Sequence, residues 1–188
     1  MKLKTLIIDD FLDDPDKIRN FLINNKVAFD AEGNFPGKRT NPVDNPVYQN
    51  MVIEKLNGVL PFKIKMRSNL SGYLRSSFSF QLCLSHDETN WIHLDPCDWT
   101  GVLYLTPNAP IDSGTLLFKE DVELKKKLRE DDVDGEVRAH VTSTLGNVYN
   151  RLVLLRGKEI PHRSNIPGFG DCLENGRLTQ VFFFDEVM

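Results

Sequence analysis

Apolar and polar side chains alternate in short runs along most of the chain after residue 61, which is the pattern of β-strands with one buried face. The clearest run is Ser77–Leu84, where every second residue from Phe78 onward is large and apolar. Turns rich in Gly, Pro, Asn and Asp separate the runs, which cover residues 62–66, 77–84, 91–95, 101–105, 114–118, 151–156, 160–163 and 177–184. Many short strands between such turns predict a mainly β protein, built as a sandwich or a barrel.

The chain before residue 62 has a different pattern. Residues 3–8 form a short apolar run that predicts a first strand, and apolar residues recur at helical spacing over 15–27 and 47–60. Asp14 is suited to cap the first of these helices, because a proline follows it. Residues 30–50 have no period and many Gly and Pro residues, so we expect a loop there.

The length and composition fit one globular domain. The chain has 188 residues, of which 40% are hydrophobic and 27% are charged, and these are ordinary values for a single domain. We therefore expect one domain over residues 1–188, with a helical and loop elaboration over 1–61 and a β core over 62–188. A charged segment at 120–129 predicts a short helix that interrupts the strands.

Charge and cysteine content argue against several classes of protein. The net charge of -4 is not the footprint of a general nucleic-acid binder, so we do not expect nucleic acid as a partner. No apolar run reaches the length of a membrane span, and the apolar start is too short for a signal peptide. Cys83, Cys97 and Cys172 lack Cys-x-x-Cys spacing, so we interpret them as free thiols in a reducing, cytoplasmic setting.

The segment His93-Leu94-Asp95 carries the chemistry that the sequence shows most clearly. In an extended strand, residues two apart point to the same face, so His93 and Asp95 present an imidazole and a carboxylate side by side. His162 lies in a later strand-like run. Two imidazoles and one carboxylate form the facial triad of non-haem Fe(II) oxygenases, which leaves coordination positions open.

A purely structural interpretation of these residues stays open at this point. His93 can be a packed strand residue, Asp95 a turn former before Pro96, and His162 a surface turn residue after a proline. The other two histidines show no such pattern. We interpret His86 as a loop residue and His140 as a structural residue.

Later motifs strengthen the metal hypothesis and suggest a family. An Arg177-Leu178-Thr179 segment begins the last strand, Tyr104 lies in the strand after His93 and Asp95, and Asp112–Leu116 contains a Ser-Gly-Thr-Leu turn. Together with the order of the strands, these motifs resemble the Fe(II)- and 2-oxoglutarate-dependent oxygenases of the prolyl-hydroxylase type over about residues 78–184.

The resemblance implies a fold and an activity. The fold is a double-stranded β-helix, also called a jelly roll and similar to the cupins. The implied activity is that of a dioxygenase, a hydroxylase that consumes O2 and 2-oxoglutarate, releases succinate and CO2, and oxidises an amino acid, a peptide or another small organic substrate. Asp95 distinguishes the chain from halogenases of this superfamily, which have a small residue at that position.

The resemblance also implies a role for each site residue. His93, Asp95 and His162 would hold Fe(II), while Arg177, Thr179 and Tyr104 would bind the far carboxylate of 2-oxoglutarate. A guanidinium group suits that task because it binds a carboxylate through two parallel hydrogen bonds.

Several alternatives remain open from the sequence. Arg163 and Arg156 are rivals of Arg177, because the loop over residues 164–175 is longer than in prolyl hydroxylases. The segment Lys38-Arg39-Thr40 either meets an anionic substrate or is solvated charge. A cupin-type metalloenzyme without 2-oxoglutarate and a non-catalytic jelly-roll binding module are the competing functions.

Overall fold

The computed structural model describes residues 3–31, 33, 35–67, 77–88, 91–121 and 140–187. Two helices precede most of the strands: α1 spans Pro15–Asn24 and α2 spans Pro46–Val59. The strands are β1 Thr5–Ile8, β2 Lys38–Arg39, β3 Lys63–Met66, β4 Phe80–Cys83, β5 Trp99–Tyr104, β6 Thr115–Phe118, β7 Val141–Leu145, β8 Leu152–Arg156, β9 His162–Ser164 and β10 Arg177–Val187. None of the helices in these ranges is long and apolar enough to cross a membrane.

The strands form two antiparallel sheets. A seven-stranded sheet has the order β1-β8-β5-β10-β4-β2, and β3 pairs with the far end of β10. A three-stranded sheet has the order β7-β6-β9. Strand β10 is the longest, with 11 residues, and it pairs along its length with β5, β4 and β3. This central position makes β10 the strand that joins the hydrophobic core to the functional site.

Alternation along β10 divides its side chains between two environments. Leu178, Phe182 and Phe184 belong to the main hydrophobic core, which also contains residues of both helices such as Leu22 and Leu56. The intervening residues of β10 face a cavity between the two sheets, and they are Arg177, Thr179, Val181 and Phe183. The helices therefore cover one face of the large sheet, and the opposite face lines the cavity.

Most of the predicted elements are present, with shifted ends. The cap predicted at Asp14 accepts a hydrogen bond from the Lys17 backbone N–H at 3.0 Å. Two strands were missed. Strand β2 lies inside the predicted loop 30–50, and β7 carries mostly exposed, polar side chains that show no core-facing alternation. Within the predicted strand 91–95 only an isolated bridge at His93 is found, and the charged segment predicted as a helix lies outside the described residues from position 122 onward.

Candidate metal centre

Backbone pairing brings the two histidines of the predicted triad together. His93 and His162 form an isolated antiparallel bridge, in which each backbone N–H donates to the carbonyl oxygen of the other residue at 3.0 Å. Directly opposed residues of an antiparallel pair place their side chains on the same face. The two imidazole rings accordingly lie with their centroids 4.4 Å apart.

Asp95 completes a cluster of three potential ligands. Its carboxylate oxygens lie 4.0 Å from His93 Nε2 and 3.2 Å from His162 Nε2. One ligand atom from each of the three residues lies within 4.8 Å of the other two. Within the described part of the chain, this is the one His/Cys/Asp/Glu cluster with the spacing of a metal site. The donor set of two imidazoles and one carboxylate suits a divalent transition metal such as Fe(II).

Backbone carbonyl groups orient both imidazole rings. His93 Nδ1 lies 3.2 Å from the Trp91 carbonyl oxygen, and His162 Nδ1 lies 3.0 Å from the Ile160 carbonyl oxygen. A carbonyl oxygen can only accept a hydrogen bond, so each Nδ1 carries a hydrogen and each Nε2 of a neutral ring presents its lone pair towards Asp95. Such carbonyl partners are the usual outer support of metal-binding histidines.

Asp95 is held as a carboxylate. Burial alone raises the pKa of Asp95, but the hydrogen bond and charge of His162, together with a hydrogen bond from the Thr100 hydroxyl at 2.5 Å, lower that pKa below its usual range. The Asp95 backbone N–H also donates to the Gly157 carbonyl oxygen at 3.0 Å, which anchors the segment after His93. The carboxylate is therefore available to a cation at neutral pH.

The two histidines differ in their affinity for protons. Removal from solvent and, to a smaller extent, the charge of the neighbouring His162 lower the pKa of His93 to about 4. Burial also acts to lower the pKa of His162, but the hydrogen bond and charge of Asp95 outweigh it, so that pKa is raised above 6.5. Below its raised pKa, protonated His162 donates a hydrogen bond to Asp95, and a metal ion bound by both residues would displace that proton.

A cavity of about 230 Å³ extends from this cluster between the two sheets. Strand β10 lines one wall with Arg177, Thr179, Val181 and Phe183, and residues of β6 and β9 line the facing wall. His93, Asp95 and His162 line the same cavity as Arg177. The candidate metal ligands therefore share one space with a cationic side chain.

Arg177 is buried, with 5% of its surface exposed. Its Nε donates to the Ser113 carbonyl oxygen at 3.1 Å, and its guanidinium lies 6.0 Å from the centre of the Tyr104 ring. Among the described residues neither of its terminal nitrogens has a hydrogen-bond partner, and no carboxylate forms an ion pair with it. A buried guanidinium held only by Nε leaves its outer edge free for a bidentate anion.

The other residues predicted for the carboxylate end have distinct positions. Thr179 lines the cavity on the same face of β10 as Arg177. Tyr104 is fully buried and is not among the lining residues, and its hydroxyl lies 2.7 Å from the Thr115 hydroxyl, which lines the cavity. Contact between Tyr104 and 2-oxoglutarate therefore stays a prediction. The structure shows the Tyr104 ring in contact with the guanidinium of Arg177, which lies over it.

The rival arginines are placed differently. Arg156 forms an ion pair with Glu186 at 2.6 Å and lies over the Trp99 ring, away from the cavity. Arg163 does line the cavity, with its guanidinium 5.9 Å from the centre of the Phe118 ring. Arg163 thus remains a rival of Arg177 that experiment can separate.

For one cavity residue, Arg39, the sequence left open whether it meets an anionic substrate or is a solvated charge. Arg39, on β2, lines the cavity together with Phe35 and Pro36 from the predicted loop. A strand of two residues has no detectable period, so the alternation rule could not assign a face to Arg39. His86 and His140 are exposed and do not line the cavity.

Comparison with solved structures identifies the architecture. A prolyl-4-hydroxylase from Pseudomonas putida matches with a TM-score of 0.53 and 15% identity over 98% of this chain and 94% of that chain. HygX from Streptomyces hygroscopicus, with iron bound, matches with a TM-score of 0.60 and 11% identity over 98% and 83%. A Trichoplax adhaerens prolyl hydroxylase, in complex with a hypoxia inducible factor peptide, gives 0.55 and 15% over 97% and 84%.

The chain has the double-stranded β-helix fold of these oxygenases. The family resemblance and the mainly β fold class predicted from sequence are confirmed at the level of the fold. HygX has also been solved with nickel and 2-oxoglutarate bound. No protein-family model and none of the curated proteins matches the sequence.

Thr100 provides a test of whether the His93, Asp95 and His162 cluster binds a metal. Replacing Thr100 with valine removes the hydroxyl that orients Asp95, so we expect metal affinity to fall by about 10–100-fold, as for other outer-shell partners. Titration with Fe(II) under anaerobic conditions measures this loss. Thr100→Ser keeps the hydroxyl and should retain most of the affinity. Equal affinity in Thr100→Val and in the unaltered protein would contradict the assigned role.

The pH dependence of metal binding tests the shared proton. Because His162 must lose its proton to bind a metal and its pKa is raised, apparent affinity should increase with pH below that pKa, by roughly tenfold per unit. Above that pKa the affinity should level off. Calorimetric titration with Ni(II) in buffers of different ionisation enthalpy measures the proton released. Metal affinity that is constant from pH 6 upward, with no proton release, would show that His162 does not exchange its proton for the metal.

Proposed function

We propose that this protein is an Fe(II)- and 2-oxoglutarate-dependent dioxygenase that hydroxylates a small organic, amino-acid or peptidyl substrate. The observation that carries the proposal is the shared cavity. A His-Asp-His cluster with metal spacing and a buried arginine without an anionic partner among the described residues line the same space. The first group suits a metal, and the second suits the far carboxylate of a dicarboxylic co-substrate.

The residues of the cavity fit both a metal ion and a dicarboxylic co-substrate. His93, Asp95 and His162 would hold Fe(II), because their lone pairs converge and their outer partners fix both rings. Arg177 and Thr179 would hold the far carboxylate of 2-oxoglutarate, because both line the cavity and the terminal nitrogens of Arg177 have no hydrogen-bond partner among the described residues. When bound, the iron and its co-substrate supply the activation of O2 and the decarboxylation that yields succinate and CO2.

The protein contributes position, charge and exclusion of water. The carboxylate of Asp95 would compensate part of the charge of the metal, and the hydrogen bond from Thr100 keeps that carboxylate oriented. Val102, Val181 and Phe183 form an apolar wall beside the triad, which limits water near the reacting groups. The substrate C–H bond would be oriented against the open coordination side by the remaining cavity residues.

Anaerobic titration with Fe(II) and then 2-oxoglutarate tests the proposal directly. We expect a visible metal-to-ligand charge-transfer band when the co-substrate binds, followed by succinate release on admission of O2. Iron binding without such a band would instead favour a cupin-type metalloenzyme. If the described cluster bound no metal at all, the oxygenase proposal would be wrong and a binding module would be the better description.

A further inference from the structure

A second buried cation, Arg39, lines the cavity and has no anionic partner among the described residues. Its exposed fraction is 9%. Its Nε and one terminal nitrogen both donate to the Gln81 side-chain oxygen, at 3.0 and 2.7 Å, and one face of the guanidinium lies 4.5 Å from the centre of the Phe35 ring. These contacts leave the other terminal nitrogen without a hydrogen-bond partner in the described structure.

The position of Arg39 is built into the sheet. Strand β2 pairs with β4 so that Arg39 lies opposite Gln81, and β4 pairs in turn with β10 so that Gln81 lies opposite Thr179. Residues opposed in this way share a face. Gly37 permits the pairing, because its φ is +64° and a Cβ atom there would lie 2.3 Å from the Leu82 carbonyl oxygen.

Arg177 and Arg39, which form no ion pair with the described residues, lie on opposite sides of strand β4. Arg177 is opposite Cys83 on β4 from the β10 side, whereas Arg39 is opposite Gln81 from the β2 side. Two strand spacings across the sheet, roughly 9–10 Å, and two residues along it, roughly 7 Å, therefore separate their backbones. Two guanidinium groups at this separation can bind two different anions in the same cavity.

Arg39 also acts electrostatically on the metal cluster. Burial lowers the pKa of Arg39 to about 10, the charge of Asp95 opposes that shift, and the charge of Arg39 contributes to the lowered pKa of His93. A buried guanidinium whose direct contacts are an amide and an aromatic ring, and which a carboxylate influences only without contact, is costly unless an anion reaches it. The cost of burying Arg39 in this way indicates a ligand-binding role.

We propose that Arg39 binds the carboxylate of the primary substrate, so that this protein oxidises a small organic acid. Arg177 would hold the far carboxylate of 2-oxoglutarate, and Arg39 would hold the substrate at the part of the cavity lined by Phe35. One carboxylate compensates the single positive charge of Arg39, and the planar carboxylate matches the planar edge of the guanidinium group. The inference rests on the proposed function and adds the chemical class of the substrate.

Matched pairs of probes test this inference. The protein is loaded with Ni(II) and saturating 2-oxoglutarate, and then titrated with L-amino acids and short straight-chain acids, each beside its own primary amide, with binding followed by ligand-observed NMR. We expect acids to bind and their amides not to bind. Arg39→Gln should weaken the best acid by about 10–100-fold, the cost of losing a charged hydrogen bond.

Lys38→Gln is the matched control, because it makes the same charge change at the exposed neighbouring residue of β2. It should leave acid binding unchanged. Arg39→Lys keeps the charge but lacks the two parallel N–H donors of the guanidinium group, so its affinity for the acid should fall several-fold. If circular dichroism shows that Arg39→Gln does not fold, Arg39→Lys tests the role of Arg39 instead.

The outcomes separate this inference from the proposed function. Amides that bind as well as acids, acid binding that survives in Arg39→Gln, or failure of every acid to bind would each overturn the role of Arg39, even where 2-oxoglutarate binds normally. If 2-oxoglutarate fails to bind, the proposed function is wrong. The same acid titration, on the protein loaded with Ni(II) alone, then still tests whether Arg39 binds a carboxylate.

Discussion

Replacing His93 with alanine is expected to abolish the charge-transfer band and succinate formation. The variant retains only His162 and Asp95 of the converging ligands, so iron affinity should fall by more than the roughly 10–100-fold that loss of an outer-shell partner costs. Anaerobic Fe(II) titration, followed by addition of 2-oxoglutarate, measures both effects. His93 is the least buried residue of the triad, and its removal should change the free energy of unfolding of the metal-free protein by only about 1 kcal/mol or less.

His86→Ala is the matched control for this experiment. His86 is exposed and does not line the cavity, so the same substitution there should leave iron binding and the spectrum unchanged. The metal assignment fails if His93→Ala binds iron and 2-oxoglutarate as the unaltered protein does.

Arg177→Gln is expected to separate co-substrate binding from metal binding. Loss of a buried, charged hydrogen-bond partner costs about 2–5 kcal/mol, so the dissociation constant of 2-oxoglutarate should rise by roughly 30-fold to several thousand-fold. Fe(II) affinity should stay nearly unchanged, because Arg177 forms no contact with the triad among the described hydrogen bonds and ion pairs. Spectroscopic titration of the iron-loaded protein with 2-oxoglutarate measures the change.

Two comparisons make the Arg177 experiment specific. The unaltered protein should prefer 2-oxoglutarate strongly over 2-oxopentanoate, which lacks the far carboxylate, and Arg177→Gln should remove most of that preference. Arg163→Gln, at the other cavity arginine considered for this role, should keep it. A lost preference in Arg163→Gln with an intact preference in Arg177→Gln would transfer the assignment to Arg163.

The sequence alone was sufficient to predict the features that depend on short-range periodicity. Alternation predicted that Arg177 and Thr179 share a face of one strand, and the structure places both in the cavity while Leu178 enters the core. The two-residue spacing of His93 and Asp95 likewise predicted that they lie on one side. These relations follow from backbone geometry, so a local pattern is enough to predict them.

Other features depended on tertiary structure, because they join distant segments of the chain. The reciprocal backbone hydrogen bonds between His93 and His162 bring the two histidines of the triad together. The ion pair with Glu186 holds Arg156 away from the cavity. No local pattern predicts either arrangement, since each is set by strand pairing across the sheets.

Arg39 shows the same limit most clearly. In the sequence it lies in a stretch rich in Gly and Pro, where it could equally be a solvated charge. Only the pairing of two residues of β2 with β4 buries Arg39 and turns it into the cavity. The sequence by itself therefore determined which side chains could coordinate a metal and which strand residues share a face. The tertiary structure decided which charges are buried without an anionic partner among the described residues, because burial depends on contacts between segments far apart in the chain.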